Sequence, residues 1–178
     1  TLTKPPDLPP VLLIAEGWDY PQWQAFYPED LPPEWRLAFY GNVFRGVLLP
    51  LQGLLAVSEV DGGLAAVRAE VQERFRFYLP AGLPAEHLAS YRQALGEQFG
   101  GQLRGVDSPE QVLADTAERC FRLQTGAKLD LRQLRRLVEC LQQRAEDGTP
   151  SVLLVAGNPP DFAQLQQCQT LLELMGIA

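Results

Sequence analysis

Histidine, lysine and cysteine are scarce in this chain, and each shortage excludes a class of function. The single histidine, His87, and three widely spaced cysteines supply few ligands for a metal, and no CxxC pair occurs. Only two lysines are present and the formal net charge is -7. This balance argues against nucleic-acid binding, because such binding draws on cationic contacts to phosphate. We therefore expect no metal site and no nucleic-acid partner.

Long apolar runs and nucleotide-binding motifs are also missing. The longest apolar runs, residues 11–15 (VLLIA) and 152–156 (VLLVA), have the length of a strand, so we expect no membrane span. There is no P-loop, no GxGxxG loop and no Ser-His-Asp order, and we expect no cofactor. The N-terminal sequence TLTKPPDLPP has neither the basic nor the apolar region of a signal peptide. We expect a cytoplasmic protein with reduced cysteines.

Strand-sized apolar runs alternate with segments of helical periodicity. The strand candidates are residues 11–15, 44–50, 74–80, 100–107, 119–124 and 151–158. Asp130 and Asp161 are in position to cap the last two helices, and the apolar stripe of the first of these begins at Leu131. The pattern predicts an α/β fold in which about six parallel strands are covered by helices. Residues 1–10 are predicted to form a proline-rich arm, and residues 11–178 a single domain.

Residues 16–44, EGWDYPQWQAFYPEDLPPEWRLAFYGNVF, are rich in aromatic side chains. The residues that carry the pattern are Gly17, Trp18, Tyr20, Trp23, Phe26, Tyr27, Pro28, Leu31, Tyr40 and Phe44. This string resembles the opening of the domain of unknown function 72 (YecE-like) family. Weaker similarity follows at RFRFYLP, at CFRLQTG and at the final strand and helix. The family is similar to TIM barrels. The resemblance therefore implies a TIM-barrel-like fold, contracted or incomplete because this chain is shorter than the family norm.

Positions at which the family carries polar groups are different here. The family usually has Val-Glu-x-Asn at the end of its second strand, where this chain has Val47, Leu48, Leu49 and Pro50. Gln124 stands where the family has a histidine after the strand arginine. In barrels, chemistry takes place at the C-terminal ends of the strands. These departures favour a scaffold that has lost the family's catalytic groups.

Five residues near predicted strand ends are candidates for a ligand site: Glu16, Trp18, Tyr20, Arg122 and Asn158. Glu16 is the best candidate for a general acid or base, and pairing with an arginine such as Arg122 is the structural alternative. Trp18 and Tyr20 would line a pocket, although aromatic clusters more often pack into a core. The resemblance implies that Arg122 and Asn158 keep family positions, and an inward Arg122 needs an anion.

Two further features have a structural and a functional interpretation. His87 follows Glu86 on a predicted helix of ordinary amphipathic spacing, which is typical of a surface histidine. Arg132, Arg135 and Arg136 form a basic face on the long helix. Such a face is usually solvated, and a phosphate or an acidic partner is the alternative.

Two functional hypotheses follow from these patterns. The first is a non-catalytic binding or interaction protein on a degenerate barrel scaffold. A protein partner or a homodimer mate would cover the sheet edges or apolar faces that contraction exposes. The second is a hydrolase or lyase in which Glu16 is the acid or base and Arg122 clamps an anion. In that enzyme, Trp18, Tyr20 and Asn158 complete the pocket.

Overall fold

The computed structural model describes residues 8–51, 54, 63–114, 117–146 and 148–177. Six strands alternate with helices in these residues, and the paired strands run parallel. The predicted α/β class is thus confirmed. Residues 1–7 of the predicted proline-rich arm lie outside the described residues. None of the helices in the described part of the chain combines the length and apolarity that a bilayer crossing requires.

The described elements follow one another in a regular β/α sequence. In chain order they are β1 (Val11–Glu16), α1 (Arg36–Val43), β2 (Gly46–Leu48), α2 (Gly63–Ala69), β3 (Arg76–Pro80), α3 (Ala85–Leu95), β4 (Phe99–Leu103), α4 (Pro109–Ala114), β5 (Cys120–Gln124), α5 (Leu131–Arg144), β6 (Ser151–Ala156) and α6 (Phe162–Leu174). Short 3-10 turns at Pro21–Trp23, Pro33–Trp35 and Gly96–Gln98 join some of them. The chain divides into two compact units, Thr1–Ala15 with Gly105–Ala178, and Glu16–Arg104.

The first unit, Thr1–Ala15 with Gly105–Ala178, contains the strand order β1-β6-β5. The central strand β6 is buried along its whole length, and Leu153 lies in register with Leu13 on one side and Phe121 on the other. A strand buried on both faces is a continuous apolar run rather than an alternating one. That property explains why VLLIA and SVLLVA were recognisable as strands.

Side-chain caps set where the two longest helices of this unit begin. Asp130 accepts a hydrogen bond from the Gln133 amide at 2.7 Å, and the Gln133 side chain completes a capping box. Asp161 accepts from the Ala163 amide at 2.9 Å. Both predicted caps are confirmed. The predicted apolar stripe of α5 is wrong at Leu131, which is 55% exposed because the buried positions begin one turn later, at Leu134.

The second unit, Glu16–Arg104, contains the strand order β2-β3-β4. Val47 of β2 lies in register with Phe77 of β3, and both side chains are fully buried. The register between β3 and β4 shifts after Phe77, where β4 supplies two glycines. Buried Gln98 stands beside this irregularity and donates to the Gln72 carbonyl at 2.9 Å. This unit holds the aromatic segment singled out in the sequence.

Candidate functional site

Tyr20, in the loop after β1, hydrogen-bonds back to the residue at which that loop begins. Gly17 directly follows β1, and its amide donates at 2.9 Å to the carbonyl of Leu48, the last residue of β2. Gly17 has a φ of 81°, in the left-handed region that glycine adopts without strain. The Tyr20 hydroxyl donates to the Glu16 carbonyl and lies directly over Gly17. A side chain at position 17 would collide with that hydroxyl.

A second tyrosine and an ion pair hold the same loop from outside. The Tyr27 hydroxyl donates to the Trp18 carbonyl, and Arg36 at the start of α1 forms an ion pair with Asp19. The Arg36 guanidinium also lies 5.4 Å from the centre of the Tyr27 ring, within cation–π range. The sequence singled out none of these three contacts, because each joins residues that are 9 to 17 positions apart.

Part of the aromatic cluster is core. Trp23 is 1% exposed, with its ring 5.1 Å from Tyr20 and stacked on Tyr40 at 6.4 Å. Tyr27 is likewise buried and contacts Phe26 edge-on. The rings of Trp23 and Tyr27 are therefore packed against other aromatic side chains. Trp35, by contrast, is 63% exposed.

The end of β2 is filled by apolar side chains. Leu48 and Leu49 are buried, and the Leu49 amide donates to the Tyr78 carbonyl at 2.9 Å. The Pro50 ring lies 3.1 Å from the position that a Cβ of residue 17 would occupy. Leu48, Leu49 and Pro50 therefore pack as apolar side chains, and none of them has a group that can accept a proton.

A pocket of about 470 Å³ opens beside this loop. Its lining consists of Tyr20, Pro21, Trp23, Gln24, Tyr27, Pro28, Glu29 and Arg36. The volume falls within the roughly 300–1,000 Å³ of small-molecule sites. Gln24 and Glu29 are exposed and contribute polar groups to the lining, while the buried rings of Trp23 and Tyr27 form its floor. The Nε atom of Arg36 is buried and has no hydrogen-bond partner among the described residues.

The two tyrosines of this loop predict a loss of stability at alkaline pH. Burial, with the charges of Glu16 and Asp19, raises the pKa of Tyr20 to about 12, and burial also raises the pKa of Tyr27. In the unfolded chain both phenols ionise near pH ~10. The folded state therefore holds more protons above that pH, and the free energy of unfolding should fall as pH rises from about 10 to about 12.

Urea unfolding at a series of alkaline pH values, with tyrosinate followed by ultraviolet absorbance, measures this effect. We expect the Tyr20→Phe, Tyr27→Phe double variant to be less stable at neutral pH but to show a flatter fall above pH ~10. An unchanged slope in the double variant would mean that other groups cause the alkaline loss.

Arg122, on β5 in the first unit, forms a bidentate ion pair. Its Nε and Nη2 atoms lie 2.6 and 3.1 Å from the two carboxylate oxygens of Asp107. The hydrogen bonds from Arg122 lower the pKa of Asp107. The side chains are 34% and 52% exposed, so the pair contributes little to stability. The anion that Arg122 was expected to need is supplied by the chain itself.

Asn158, in the same unit, lies exposed in the turn after β6. The Thr125 hydroxyl holds this turn, at 3.2 Å from each of the Ala156 and Pro159 carbonyl oxygens. Gln124, at the histidine position implied by the resemblance, ends β5 in register with Ala156. The predicted site residues thus fall into two groups: Glu16, Trp18 and Tyr20 in one unit, and Arg122 and Asn158 in the other.

The remaining candidates for chemistry do not form a catalytic group. Burial raises the pKa of Cys120 and of Cys168 to about 12, so neither thiol supplies a thiolate nucleophile at neutral pH. His87 is exposed on α3 and contacts Tyr91. Within the described residues, no cluster of three or more histidine, cysteine, aspartate or glutamate side chains is arranged to bind a metal ion.

Comparison of the chain with protein-family models, with curated proteins and with solved structures finds no match.

Proposed function

We propose that this chain is a non-catalytic binding protein on a contracted, TIM-barrel-like scaffold, with its ligand site in the pocket beside Tyr20. One observation carries the proposal: a pocket of ligand size opens beside a loop whose polar groups are already bonded within the chain. Tyr20 donates to the backbone carbonyl of Glu16, and Arg36 pairs with Asp19. In the first unit, Arg122 is likewise paired with Asp107. The three free cysteines agree with a reducing, cytoplasmic setting.

The lining of the pocket favours a small, uncharged, oxygen-rich ligand such as a sugar. The charge of Arg36 is opposed by Asp19 and by Glu29, so an anion gains little there. Gln24 and Glu29 offer planar amide and carboxylate groups, which can donate to or accept from hydroxyls. Tyr20 adds an amphipathic ring. The Nε–H group of Arg36 has no acceptor among the described residues, so an oxygen of the ligand could accept its hydrogen bond.

Native mass spectrometry of the protein, purified gently from its own host, tests this site. We expect a small bound mass that a Gln24→Trp substitution removes, because the indole would fill the pocket. The matched control is Gln22→Trp, an exposed glutamine in the same turn that does not line the pocket. Equal retention by both variants would place the ligand elsewhere, and no bound mass in any form of the protein would count against the site.

The same ligand distinguishes binding from catalysis. Incubated with the wild-type protein, the ligand should keep its mass. Glu16→Gln should leave the affinity unchanged within about twofold, because Glu16 does not line the pocket and Tyr20 donates to its backbone carbonyl, which the substitution keeps. Conversion of the ligand to a product, abolished by Glu16→Gln, would instead establish the hydrolase or lyase hypothesis.

A further inference from the structure

Trp35 is one of the large apolar side chains that are exposed in the described part of the second unit. It is 63% exposed in the turn Pro33–Trp35, while Trp23, twelve positions earlier, is 1% exposed. Pro32 and Pro33 restrict the backbone, and the Trp35 amide donates to the Pro32 carbonyl at 3.0 Å. A tryptophan on a restricted backbone loses little backbone freedom on binding, and tryptophan is among the residues most enriched in binding hot spots.

Two carboxylates lie near this tryptophan in the sequence, while the cation that follows it, Arg36, is paired with Asp19. Asp30 and Glu34 are both exposed, and neither forms a salt bridge with a described residue. Together with Trp35 they form what we call the Trp35 surface. Its chemistry fits a partner that offers guanidinium groups, which can pair with the carboxylates and also stack on the indole ring.

The first unit carries a face of that chemistry on α5. Arg132 and Arg136 are one helical turn apart and exposed, and neither pairs with a described residue, whereas Arg135 is engaged by Glu139 at 3.1 Å. Leu131 beside them is 55% exposed. We call Leu131, Arg132 and Arg136 the arginine face. It combines two arginines that form no ion pair with a described residue and one exposed apolar side chain.

We propose that the Trp35 surface of one copy of this chain binds the arginine face of a second copy. The two surfaces are complementary in charge, acidic around an aromatic ring on one side and basic around a leucine on the other. Arginine at the centre of such a contact pairs with carboxylate and covers the indole face, while Leu131 shields the ring from water. The proposal rests on these surfaces and is independent of the pocket.

Sedimentation of the whole chain over a concentration series tests the proposal. We expect species heavier than the 19.8 kDa monomer, with an association that weakens as salt rises because the charges lie at the surface. Trp35→Ala should weaken the association about 30-fold, the scale of a hot-spot residue. The matched control is Leu174→Ala, which removes an apolar side chain that is 81% exposed but lies outside both surfaces.

Charge reversal gives the sharpest test. The variant Asp30→Arg, Glu34→Arg and the variant Arg132→Glu, Arg136→Glu should each be monomeric alone. Mixing the two should restore association, because the unaltered arginine face of the first variant then meets the unaltered Trp35 surface of the second. Reversal of the exposed arginine at position 74 (Arg74→Glu) is the control and should change little. A wild-type chain that stays monomeric at every concentration, or a mixture that does not recover association, overturns the proposal.

Discussion

Trp23→Ala should destabilise the protein by about 3–5 kcal/mol, the range measured for removing a fully buried aromatic side chain. The indole is 1% exposed and connects the loop tyrosine Tyr20 to the core ring of Tyr40. Removing it takes away part of the pocket lining and the ring against which Tyr20, the residue that covers Gly17, is packed. Chemical denaturation followed by circular dichroism measures the change in the free energy of unfolding.

Trp35→Ala is the matched control for this prediction. It removes the same side chain from the same segment, but from a position that is 63% exposed, and we expect a stability change within about 0.5 kcal/mol. The two variants should therefore separate stability from association: Trp23→Ala affects the first and Trp35→Ala the second. Equal losses of stability would contradict the assignment of Trp23 to the core and Trp35 to the surface.

Gly17→Ala is expected to cost about 2–4 kcal/mol. Part of this, roughly 1–2 kcal/mol, is the strain of an alanine in the left-handed region. The rest arises because the new Cβ would lie 2.5 Å from the Tyr20 hydroxyl and 3.1 Å from Pro50. Tyr20 must then move, and its hydrogen bond to the Glu16 carbonyl, a contribution of about 1 kcal/mol, is lost.

Gly82→Ala isolates the backbone contribution to this loss. Gly82 has a φ of 87°, close to that of Gly17, but a Cβ there would have no atom within 4 Å. We expect about 1–2 kcal/mol from strain alone. In a Tyr20→Ala background the excess cost of Gly17→Ala over Gly82→Ala should shrink, since the colliding hydroxyl is gone. If the difference in cost between Gly17→Ala and Gly82→Ala is unchanged in that background, the new Cβ does not collide with Tyr20.

The positions of the two tryptophans show where sequence-based inference stops. Trp23 and Trp35 occur in one proline-rich segment with no periodicity that assigns either to a face, so the sequence does not distinguish the buried ring from the exposed one. Burial was decided by the turns at Pro21–Trp23 and Pro33–Trp35, which direct one ring against Tyr40 and leave the other exposed. Local composition carries no information about such long-range contacts.

The same limit applies to the candidate charges. Arg122 was recognisable as a strand arginine that needs an anion, but its partner Asp107 lies 15 positions earlier and is brought beside it when Val106 pairs with β5. Arg36 and Glu29 line the pocket although nothing in their spacing marks them.

The sequence by itself determined the α/β class, the strands and the caps of the two longest helices. These follow from apolar runs and from side-chain to backbone bonds between near neighbours, such as Asp130 with Gln133, which depend on local order alone. Only the tertiary structure decided which polar groups are already bonded, which aromatic rings are exposed and where a pocket opens. Those outcomes depend on contacts between residues distant in sequence, which exist only once the strands have paired.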